Sequence, residues 1–436
     1  MTTKRARVRP YKHIELIEAF LWDVRMGVVA LDPAYGYYAF SYAPEFLATG
    51  VEPAPLTMPA SSSDPYIFNS LPVDTFKRLP ALLSDALPDD FGNALINRYM
   101  AEQGIEASSV SILDRLAYMG DRAMGALTFK PARGIKAKDA APIVMKDLVN
   151  QARQAVQGVF DNDDHANAAL RNIIEVGTSA GGARAKAVIA WNPVTQEIRS
   201  GQVATGDGFE HWLLKFDGMG TDRELGDSKV YGRIEYAYYL MAKAAGIDMM
   251  ESRLLQENGR AHFMTKRFDR EPGNVRHHIQ TLCAMSHLDY KMRGANSYAQ
   301  YFSTIEELGL PYNQKEEAFR RMVFNVLSKN CDDHSKNFSF RLRKGHAWEL
   351  SPAYDLTFSH NPNGEWTNQH LMSVNGKFKD FKDSDLLEVA DRFSIGTARS
   401  VIAQVANAID LWSDFGLKAD LPENEISRIA GFHIKF

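Results

Sequence analysis

The segment from residue 319 to residue 355 constrains the fold more than any other part of the chain. Apolar residues recur at helical spacing over residues 319–327 and stop at a polar loop, residues 331–337. Apolar and polar residues then alternate over residues 338–343, which predicts a strand, and Lys344-Gly345 predicts a turn. We expect a return strand that ends at Asp355. The segment therefore predicts a helix, a polar loop, a hairpin and an acidic residue, in that order.

The polar loop and the acidic residue carry side chains that phosphoryl transfer needs. A kinase catalytic loop has an Asp that orients the attacking hydroxyl and, five positions later, an Asn that binds magnesium. Asp332 and Asn337 have this separation. A second Asp after a hairpin holds the metal that bridges the ATP phosphates, and Asp355 is placed for that role. The alternative is a hydrated polar loop at a helix end.

Two further residues of the loop, His334 and Lys336, carry side chains that can be cationic. Each could stabilise the charge of a phosphoryl group during transfer. Each could equally orient the loop through hydrogen bonds, and the sequence leaves both interpretations open. We place both residues in the candidate catalytic set, after Asp332.

A lysine and a glutamate upstream of the loop form a candidate ion pair. Residues 211–216 (HWLLKF) predict an apolar strand in which Lys215 is the one acid or base besides His211. Burying such a lysine is costly unless it meets an anion. Glu235 follows in a predicted helix, and a strand Lys paired with a helix Glu positions the α- and β-phosphates in kinases. The alternative is a lysine at a sheet edge and a glutamate in solvent.

A glycine-rich segment, residues 177–186 (GTSAGGARAK), precedes that strand. Small residues let backbone N–H groups approach phosphate oxygens. The segment is not a Walker A loop, because Gly182 is not followed by Lys-Ser or Lys-Thr, and it does not match G-x-G-x-x-G. Its position suits a loop that covers the phosphates, and an ordinary turn is the alternative.

Composition narrows the classes of protein that the chain can belong to. Fifty Lys plus Arg against 54 Asp plus Glu give a net charge of −4, which does not favour nucleic-acid binding by the whole surface. Two cysteines, Cys283 and Cys331, cannot build a disulfide framework or a four-thiolate zinc site. No apolar run approaches the ~18 residues of a membrane-spanning helix. We therefore expect a cytoplasmic protein without membrane contact.

The pattern of elements predicts an α+β protein with a protein-kinase-like, two-lobed core. Residues 1–135 are expected to form an N-terminal mixed α/β subdomain. Residues 136–270 are expected to form an N-lobe-like region with the glycine-rich loop. Residues 271–436 are expected to form a mostly helical C-lobe with the catalytic loop and the metal-binding Asp.

The motifs in this order resemble the HipA-type serine/threonine kinases, the toxins of bacterial toxin–antitoxin pairs, over nearly the full length. YAPEFL (42–47), LPDDFGNALINRY (87–99) and GDRAMGALTF (120–129) resemble that family's N-terminal domain. The kinase core is matched by KRFDR (266–270), DDHSKNFS (332–339) and LSPAYDLT (350–357). The chain departs from the best-known form at Asp333, where that form has Gly, and at Arg184-Ala185, where it has Gln-Glu.

The resemblance implies a nucleotide site and its residues. Contacts to ATP would come from Gly177, Thr178, Ser179, Ala180, Gly181, Gly182, Lys215, Glu235, Lys266, Phe268 and Asp269. Lys266 and Phe268 would meet adenine through backbone groups, and Asp269 would lie near the ribose. Asp332 would be the catalytic base, and Asn337 and Asp355 would bind Mg²⁺.

The resemblance also implies regulation and partners. Ser179 matches the loop serine that the family autophosphorylates, with Thr178 as a neighbouring acceptor. The expected function is an ATP- and Mg²⁺-dependent serine/threonine protein kinase that arrests growth as a toxin. Its partners would be a protein substrate, aminoacyl-tRNA synthetases being among the family's targets, and a helix-turn-helix antitoxin through which alone it would reach DNA. A small-molecule phosphotransferase and a non-catalytic scaffold for antitoxin and DNA are the alternatives.

Overall fold

Alternating burial along one strand organises the N-terminal sheet. The structure is a computed structural model that describes residues 11–62, 64–88, 90–133, 142–157, 184–202, 205–218, 221–222, 226–227 and 230–436. In strand β1 (Leu16–Leu21), Ile17, Ala19 and Leu21 are buried while the residues between them are more exposed. This period of two gives the sheet one face toward the core.

The first sheet is antiparallel and has four strands in the order β3-β2-β1-β4. Its other strands are β2 (Val24–Asp32), β3 (Tyr37–Tyr42) and β4 (Leu127–Lys130). Between β3 and β4 the chain forms helices α1 (Pro44–Leu47), α2 (Val73–Phe76), α3 (Ala81–Ser84), α4 (Asp90–Glu102) and α5 (Ile112–Met119), with a 3₁₀ turn at Ala107–Ser109. Ser111 and Asp114 cap α5 reciprocally, which fixes where that helix begins.

The second sheet has five antiparallel strands in the order β10-β11-β7-β5-β6. They are β5 (Lys186–Trp191), β6 (Ile198–Ser200), β7 (Glu210–Lys215), β10 (Ser252–Glu257) and β11 (Arg260–Lys266), so the strand predicted at residues 211–216 is confirmed. Two short strands, β8 (Thr221–Asp222) and β9 (Gly226–Asp227), pair separately. Helix α6 (Met145–Gln157) precedes the sheet and α7 (Tyr231–Ala244) lies against it. Gly232 permits the close approach of α7, because a Cβ there would lie 2.1 Å from the Ala261 carbonyl oxygen.

The last third of the chain is mostly helical. Its helices are α8 (Leu282–Met285), α9 (Tyr298–Glu307), α10 (Tyr312–Ser328), α11 (Asp383–Arg392), α12 (Ala398–Asp410), α13 (Trp412–Lys418) and α14 (Glu423–Ala430). A three-stranded sheet in the order β14-β16-β17 joins β14 (His278–Thr281), β16 (Ser339–Leu342) and β17 (Trp348–Leu350). Shorter pairs are β12 (Arg270–Glu271) with β13 (Val275–Arg276), and β15 (Asn296–Ser297) with β18 (Met372–Ser373).

Helix α10, the polar loop and the β16–β17 hairpin confirm the order predicted for residues 319–355, with one correction. Strand β17 ends at Leu350 and does not run to Asp355. Pro352 follows within two residues and has no N–H to donate to a sheet ladder, so the strand stops early. Asp355 consequently lies on an irregular segment rather than at the end of a strand.

Two large apolar clusters hold these elements together. One joins the N-terminal sheet to the five-stranded sheet and includes Ile17, Phe129 and Trp212. The other fills the helical region and includes Tyr238 of α7 as well as Trp412. The α+β fold class is confirmed, whereas the boundaries after residues 135 and 270 stay a prediction. No helix among the described residues is long and apolar enough to cross a membrane.

Candidate active site

The polar loop that follows α10 is closed by its own asparagine. Helix α10 ends at Ser328, and Lys329 caps it with a left-handed φ of 59°. The Asn337 side chain donates from Nδ2 to the Asp332 carbonyl oxygen at 2.7 Å, and its backbone N–H donates to the His334 carbonyl oxygen at 2.8 Å. The two bonds fold residues 332–337 into a compact turn at the entrance to β16. Asp332 and Asn337 thus lie on one loop, as the sequence predicts.

Lys215 binds two other predicted site residues, Glu235 and Asp355. It is the last residue of β7, and its Nζ donates to Glu235 Oε1 of α7 at 2.5 Å and to Asp355 Oδ1. Only 10% of the Lys215 side chain and 2% of the Glu235 side chain are exposed, against 29% for Asp355. Arg184 adds a second cation to Glu235, with Nη1 3.3 Å from Oε2. A strand, a helix and the segment after the hairpin therefore meet at one buried ammonium group.

The charges of this group shift one another's pKa values in opposite directions. Burial alone would lower the pKa of Lys215, but Asp355 and Glu235 overcome this and raise it. Burial alone would raise the pKa of Asp355, but Lys215 and the nearby Lys186 overcome this and lower it. Both members of the pair are therefore charged at neutral pH, with Asp355 as a carboxylate.

Asp332 has a different environment from Asp355. About half of its side chain, 49%, is exposed, and His334 lies beside it, with Nε2 3.7 Å from Oδ1. The surrounding protein desolvates the rest of the side chain, which raises the pKa of Asp332; His334 opposes this rise and Asp355 adds to it. The carboxyl group is reachable from the cleft and more basic than an ordinary aspartate, which suits a group that accepts a proton.

Lys186 lies beside Lys215 and was not singled out as a cleft residue by the sequence. The two lysines are directly opposite each other in the antiparallel β5–β7 ladder, so their side chains lie on the same face of the sheet. Lys186 is 2% exposed. The signal was present in the sequence, since both lysines end or begin an apolar strand, but their pairing depends on a register that the sequence does not show.

His334 and Lys336 contact one aromatic ring that lies outside the loop. The Tyr290 ring centroid is 5.3 Å from the His334 ring and 4.8 Å from Lys336 Nζ. The backbone carbonyl of Lys336 accepts a hydrogen bond from the Tyr354 hydroxyl at 2.7 Å. The placement is compatible with both interpretations of these residues, charge stabilisation and loop orientation, and Tyr290 was not predicted.

Asp333 anchors the loop and was also missed. Its carboxylate accepts hydrogen bonds from the Tyr298 hydroxyl at 2.8 Å, from His370 Nδ1 at 2.9 Å and from the Leu371 N–H at 2.8 Å. Burial alone would lower the pKa of His370, but Cys331 and Asp333 raise it to about 10. Asp333 and His370 therefore form a charged, buried pair that fixes one side of the loop, while neighbouring Asp332 faces the cleft.

Lys266 and Phe268 lie at the exit of β11, near the cleft. The Lys266 ammonium is 2.6 Å from Glu210 Oε1, so its side chain points to a neighbouring strand. The Phe268 ring stacks on Tyr354, next to Asp355, with centroids 5.7 Å apart. The Phe268 carbonyl oxygen already accepts a bond from Arg341 at 3.0 Å. Adenine contact by backbone groups of these two residues stays a prediction.

Asp269 has an enclosed carboxylate that receives several hydrogen bonds. Its residue is 0% exposed, and its carboxylate accepts bonds from Arg267 at 2.8 and 2.6 Å, from Arg270 at 2.7 Å and from the Gly125 N–H at 2.7 Å. Burial alone would raise the pKa of Asp269, but the two arginines hold it far below its usual value. The carboxylate is closed to solvent and all its recorded bonds are to residues of its own chain, and a position of Asp269 near the ribose stays a prediction.

The predicted phosphate-covering loop falls outside the described residues. This applies to every member of the predicted set: Gly177, Thr178, Ser179, Ala180, Gly181 and Gly182. The described chain resumes at Arg184, which contacts Glu235, and continues into Lys186. The loop's predicted role in nucleotide binding and the phosphorylation of Ser179 stay predictions.

Comparison with models of known protein families shows to which family the chain belongs. A model of the HipA-like C-terminal domain matches residues 178–412, which is more than half of the chain, and a model of the HipA N-terminal domain matches residues 17–130. The chain belongs to the HipA-type family. Both matches agree with the resemblance seen in the motifs.

A sequence relative and two solved structures accompany the family match. A provisionally named kinase of Haemophilus influenzae is 25% identical over 199 residues, which span 39% of this chain and 57% of the relative. HipA of Shewanella oneidensis MR-1, solved with HipB and operator DNA, has a TM-score of 0.68 at 17% identity and covers 95% of this chain and 94% of its own. The proinflammatory kinase CtkA of Helicobacter pylori has a TM-score of 0.32 at 14% identity, covers 51% of this chain and 88% of its own, and supports no inference.

These comparisons establish a HipA-type fold and membership of a toxin family that has kinase-like relatives. The structural match at 17% identity shows the fold alone. The chain spans just over half the length of the Haemophilus influenzae relative, so the activity, substrates and partners of this chain are matters of proposal.

Proposed function

We propose that this HipA-type protein is an ATP- and Mg²⁺-dependent serine/threonine protein kinase that arrests growth as the toxin of a toxin–antitoxin pair. One observation carries the proposal: Lys215 binds both Glu235 and Asp355 at the cleft that Asp332 and Asn337 face. A strand lysine paired with a helix glutamate, and an Asp and an Asn that accompany a metal-binding Asp, are the parts that phosphoryl transfer requires.

The residues at the cleft fit a magnesium nucleotide. Asp355 is a carboxylate at neutral pH, and Asn337 uses its amide nitrogen for the loop bond, which leaves its side-chain oxygen as a ligand. Carboxylate and amide oxygens are ligands that Mg²⁺ accepts, beside phosphate oxygens. Asp355 and Asn337 would hold a bound Mg²⁺, which would supply positive charge to the phosphates of the nucleotide. Lys215 and Lys186 would add two cationic side chains beside the same phosphates.

Each protein group then has a defined task. Lys215 orients the phosphates, and Glu235 holds the lysine in place. Asp332, with its raised pKa, accepts the proton of the substrate hydroxyl at its carboxylate. His334 lies near this carboxylate and Lys336 lies against the same Tyr290 ring, and each would stabilise the charge of the transferring group or orient the loop.

The proposed biology rests on the family. We infer a helix-turn-helix antitoxin as partner, with DNA reached only through that antitoxin, because the Shewanella HipA was solved with HipB and operator DNA. The substrate is inferred to be a protein, with aminoacyl-tRNA synthetases as the class that the family resemblance offers. Phosphorylation of Ser179, or of Thr178 beside it, is the proposed self-inhibition, since a phosphate of about −1.5 to −2 charge would repel ATP. A cytoplasmic location completes the proposal.

Labelled ATP tests the proposal directly. We expect purified full-length chain to transfer the γ-phosphate to serine or threonine, in its own chain or in added cell extract, only when Mg²⁺ is present. Lys215→Ala should weaken ATP binding about 10- to 100-fold, the loss of about 1.5–3 kcal/mol from a charge-assisted hydrogen bond. Lys243→Ala, an exposed lysine near the end of the same helix as Glu235, is the matched control and should bind ATP normally.

Three outcomes would contradict the proposal. Label on a small molecule alone would indicate a phosphotransferase of another class. No transfer with any extract, from a chain that binds antitoxin and operator DNA, would indicate a scaffold. Equal ATP affinity of the Lys215 variant and the Lys243 variant would show that the buried ammonium does not meet the nucleotide.

A further inference from the structure

A short segment, residues 288–291, connects the catalytic loop to the N-terminal region. From the loop side, the Ser335 hydroxyl donates to the Leu288 carbonyl oxygen at 2.7 Å. From the N-terminal side, the Thr75 hydroxyl donates to Asp289 Oδ1. Lys291 Nζ donates to the backbone carbonyl of residue 74 at 3.2 Å. We call residues 288–291 the bracing segment, because hydrogen bonds hold it from both sides.

Tyr290 lies in the middle of the bracing segment and contacts two residues of the candidate catalytic set. Its ring is 5.3 Å from the His334 ring, with planes inclined by 56°, and 4.8 Å from Lys336 Nζ. An ammonium group within ~6 Å of an aromatic centroid is attracted by the ring's negative face. The ring thus favours one position for each of these two side chains, and His334 also lies beside Asp332, with Nε2 3.7 Å from Oδ1.

Tyr290 also packs on an apolar cluster that spans the two regions. The members from the N-terminal region and from α8 are Leu71, Phe76, Ala81, Cys283 and Ala284. Tyr290 is one of the partly buried residues that pack against them. Residues far apart in the sequence therefore set the position of the ring.

Asp85 ties α8 to the N-terminal region from a second direction. Its carboxylate accepts bonds from the Thr281 N–H at 2.7 Å and from the Thr281 hydroxyl at 2.9 Å. Thr281 also caps α8, accepting from the Ala284 N–H at 3.3 Å. The cluster that supports Tyr290 is thus fixed by side-chain hydrogen bonds as well as by apolar contact.

We propose that Tyr290 is a positioning residue for phosphoryl transfer, whose ring, held by the N-terminal region, sets the positions of His334 and Lys336. The inference rests on the proposed kinase activity and adds to it a role for the N-terminal region in the chemical step. A displacement of ~1 Å in a catalytic group can cost ~10²-fold in rate, so a ring that fixes two such groups has a measurable effect.

Four variants of the full-length chain test the role of the ring. Tyr290→Ala removes the ring and its bulk, Tyr290→Leu restores most of the bulk, and Tyr290→Phe restores the ring. We expect Ala and Leu to lower kcat for γ-phosphate transfer about 10-fold with KM for ATP within about twofold, and Phe to retain at least half of the wild-type kcat. Tyr35→Ala, at a residue that is 63% exposed, is the control and should leave kcat unchanged.

A fifth variant tests whether the contact between the N-terminal region and the bracing segment helps to position the Tyr290 ring. Thr75→Val keeps the shape of the side chain and removes the hydroxyl that donates to Asp289. We expect it to lower kcat in the same direction as Tyr290→Ala, by a smaller factor, again with KM for ATP unchanged. Thermal denaturation and ATP affinity of each variant report whether the chain is folded, and Tyr290→Leu against Tyr290→Phe remains informative if Tyr290→Ala does not fold.

Each contrary result has its own meaning. A kcat restored by Leu would show that the ring only fills space, and would overturn the positioning role. A change in KM with constant kcat would assign Tyr290 to nucleotide binding instead. A normal kcat for Thr75→Val would show that the N-terminal region does not help to position the Tyr290 ring. Absence of transfer by the wild-type chain in the same assay would overturn the kinase activity itself and the inference with it.

Discussion

Two groups of charged residues in this chain both contain aspartate beside a basic side chain and differ in how far the aspartate is exposed to solvent. The joint, formed by Arg267, Asp269 and Arg270, encloses a carboxylate that receives four hydrogen bonds and no solvent. In the cleft, Asp355 keeps 29% of its side chain exposed and Asp332 keeps 49%. A saturated, enclosed carboxylate stabilises the fold, whereas a carboxylate left partly open to solvent is available to a ligand.

The joint also connects regions that are distant in the sequence. Gly125 donates to Asp269 and accepts from Arg270 at 2.9 Å, and Arg276 donates to the carbonyl oxygen of residue 121 at 2.6 Å. Gly125 has a φ of 78°, and a Cβ there would lie 3.0 Å from Ile279. The turn before β4 therefore needs glycine to fit against the chain that leaves β11.

Among the variants of cleft residues, Asp332→Asn should cause the largest loss of phosphoryl-transfer rate. Loss of a general base typically costs ~10²–10⁴-fold in rate, so γ-phosphate transfer should fall by about that factor while ATP affinity changes little. The structural reason is that the Asp332 carboxylate lies beside His334, with Oδ1 3.7 Å from Nε2, and that the bond from Asn337 uses the Asp332 backbone carbonyl, which the variant keeps. Rapid-mixing measurements with labelled ATP give the rate, and titration calorimetry gives the affinity.

The same variant should be more stable than the wild type at neutral pH. The pKa of Asp332 is higher in the folded chain than its usual value near 3.8, so its favourable contribution exists below that value and is lost as pH rises through the folded pKa. At neutral pH the ionised carboxylate destabilises the fold, and Asn removes that cost. The Tm difference should shrink as pH falls toward 4; a variant less stable at pH 7.5 would contradict the assigned environment.

Asp269→Asn should lower the stability of the fold, because it disrupts the joint, and should leave the rate of phosphoryl transfer unchanged. Removing one partner of a buried ion pair typically costs about 3–5 kcal/mol, because the other charges remain buried without compensation. Arg267 and Arg270 would be left in that state. Chemical denaturation should show the loss, while kcat per folded molecule should stay near the wild-type value. A normal stability with lost transfer would restore Asp269 to the nucleotide site.

Among these variants, Lys266→Ala should change the stability of the fold and the affinity for ATP the least. Its pair with Glu210 is about 30% exposed on each side, at 31% and 29%, and such pairs contribute about 0–1 kcal/mol. Nucleotide affinity should also be unchanged, because the predicted adenine contact uses backbone groups. A loss of ATP affinity above about threefold would show that the side chain itself meets the nucleotide, in contrast to the enclosed joint beside it.

Local order was predictable where the sequence repeats a period. The helical spacing over residues 319–327 and the alternation that follows predicted α10, the loop and β16, and each is confirmed. The Lys215–Glu235 pair was expected from the kinase pattern, because that pattern fixes the strand and the helix that carry them, whereas the bond from Lys215 to Asp355 was not predicted. The predicted end of the return strand was wrong, because Pro352 has no N–H to continue the sheet ladder and β17 ends at Leu350.

Contacts between distant residues were not predictable from one sequence. Asp269 was assigned to the ribose because KRFDR is a local motif, while the donor that occupies its carboxylate, Gly125, is 144 positions away. Asp333 was noted only as a departure from the family, and its partner His370 follows 37 positions later. Tyr290 gave no signal at all, because a single tyrosine in a loop does not reveal the ring's neighbours.

The backbone at Asp355 has a consequence for which residues can replace it. Its φ is 53°, in the left-handed region that Gly, Asn and Asp adopt more readily than other residues. Asn therefore fits this backbone and removes the carboxylate that would hold the metal. One substitution would therefore remove the proposed metal ligand while keeping a residue that adopts this backbone conformation readily.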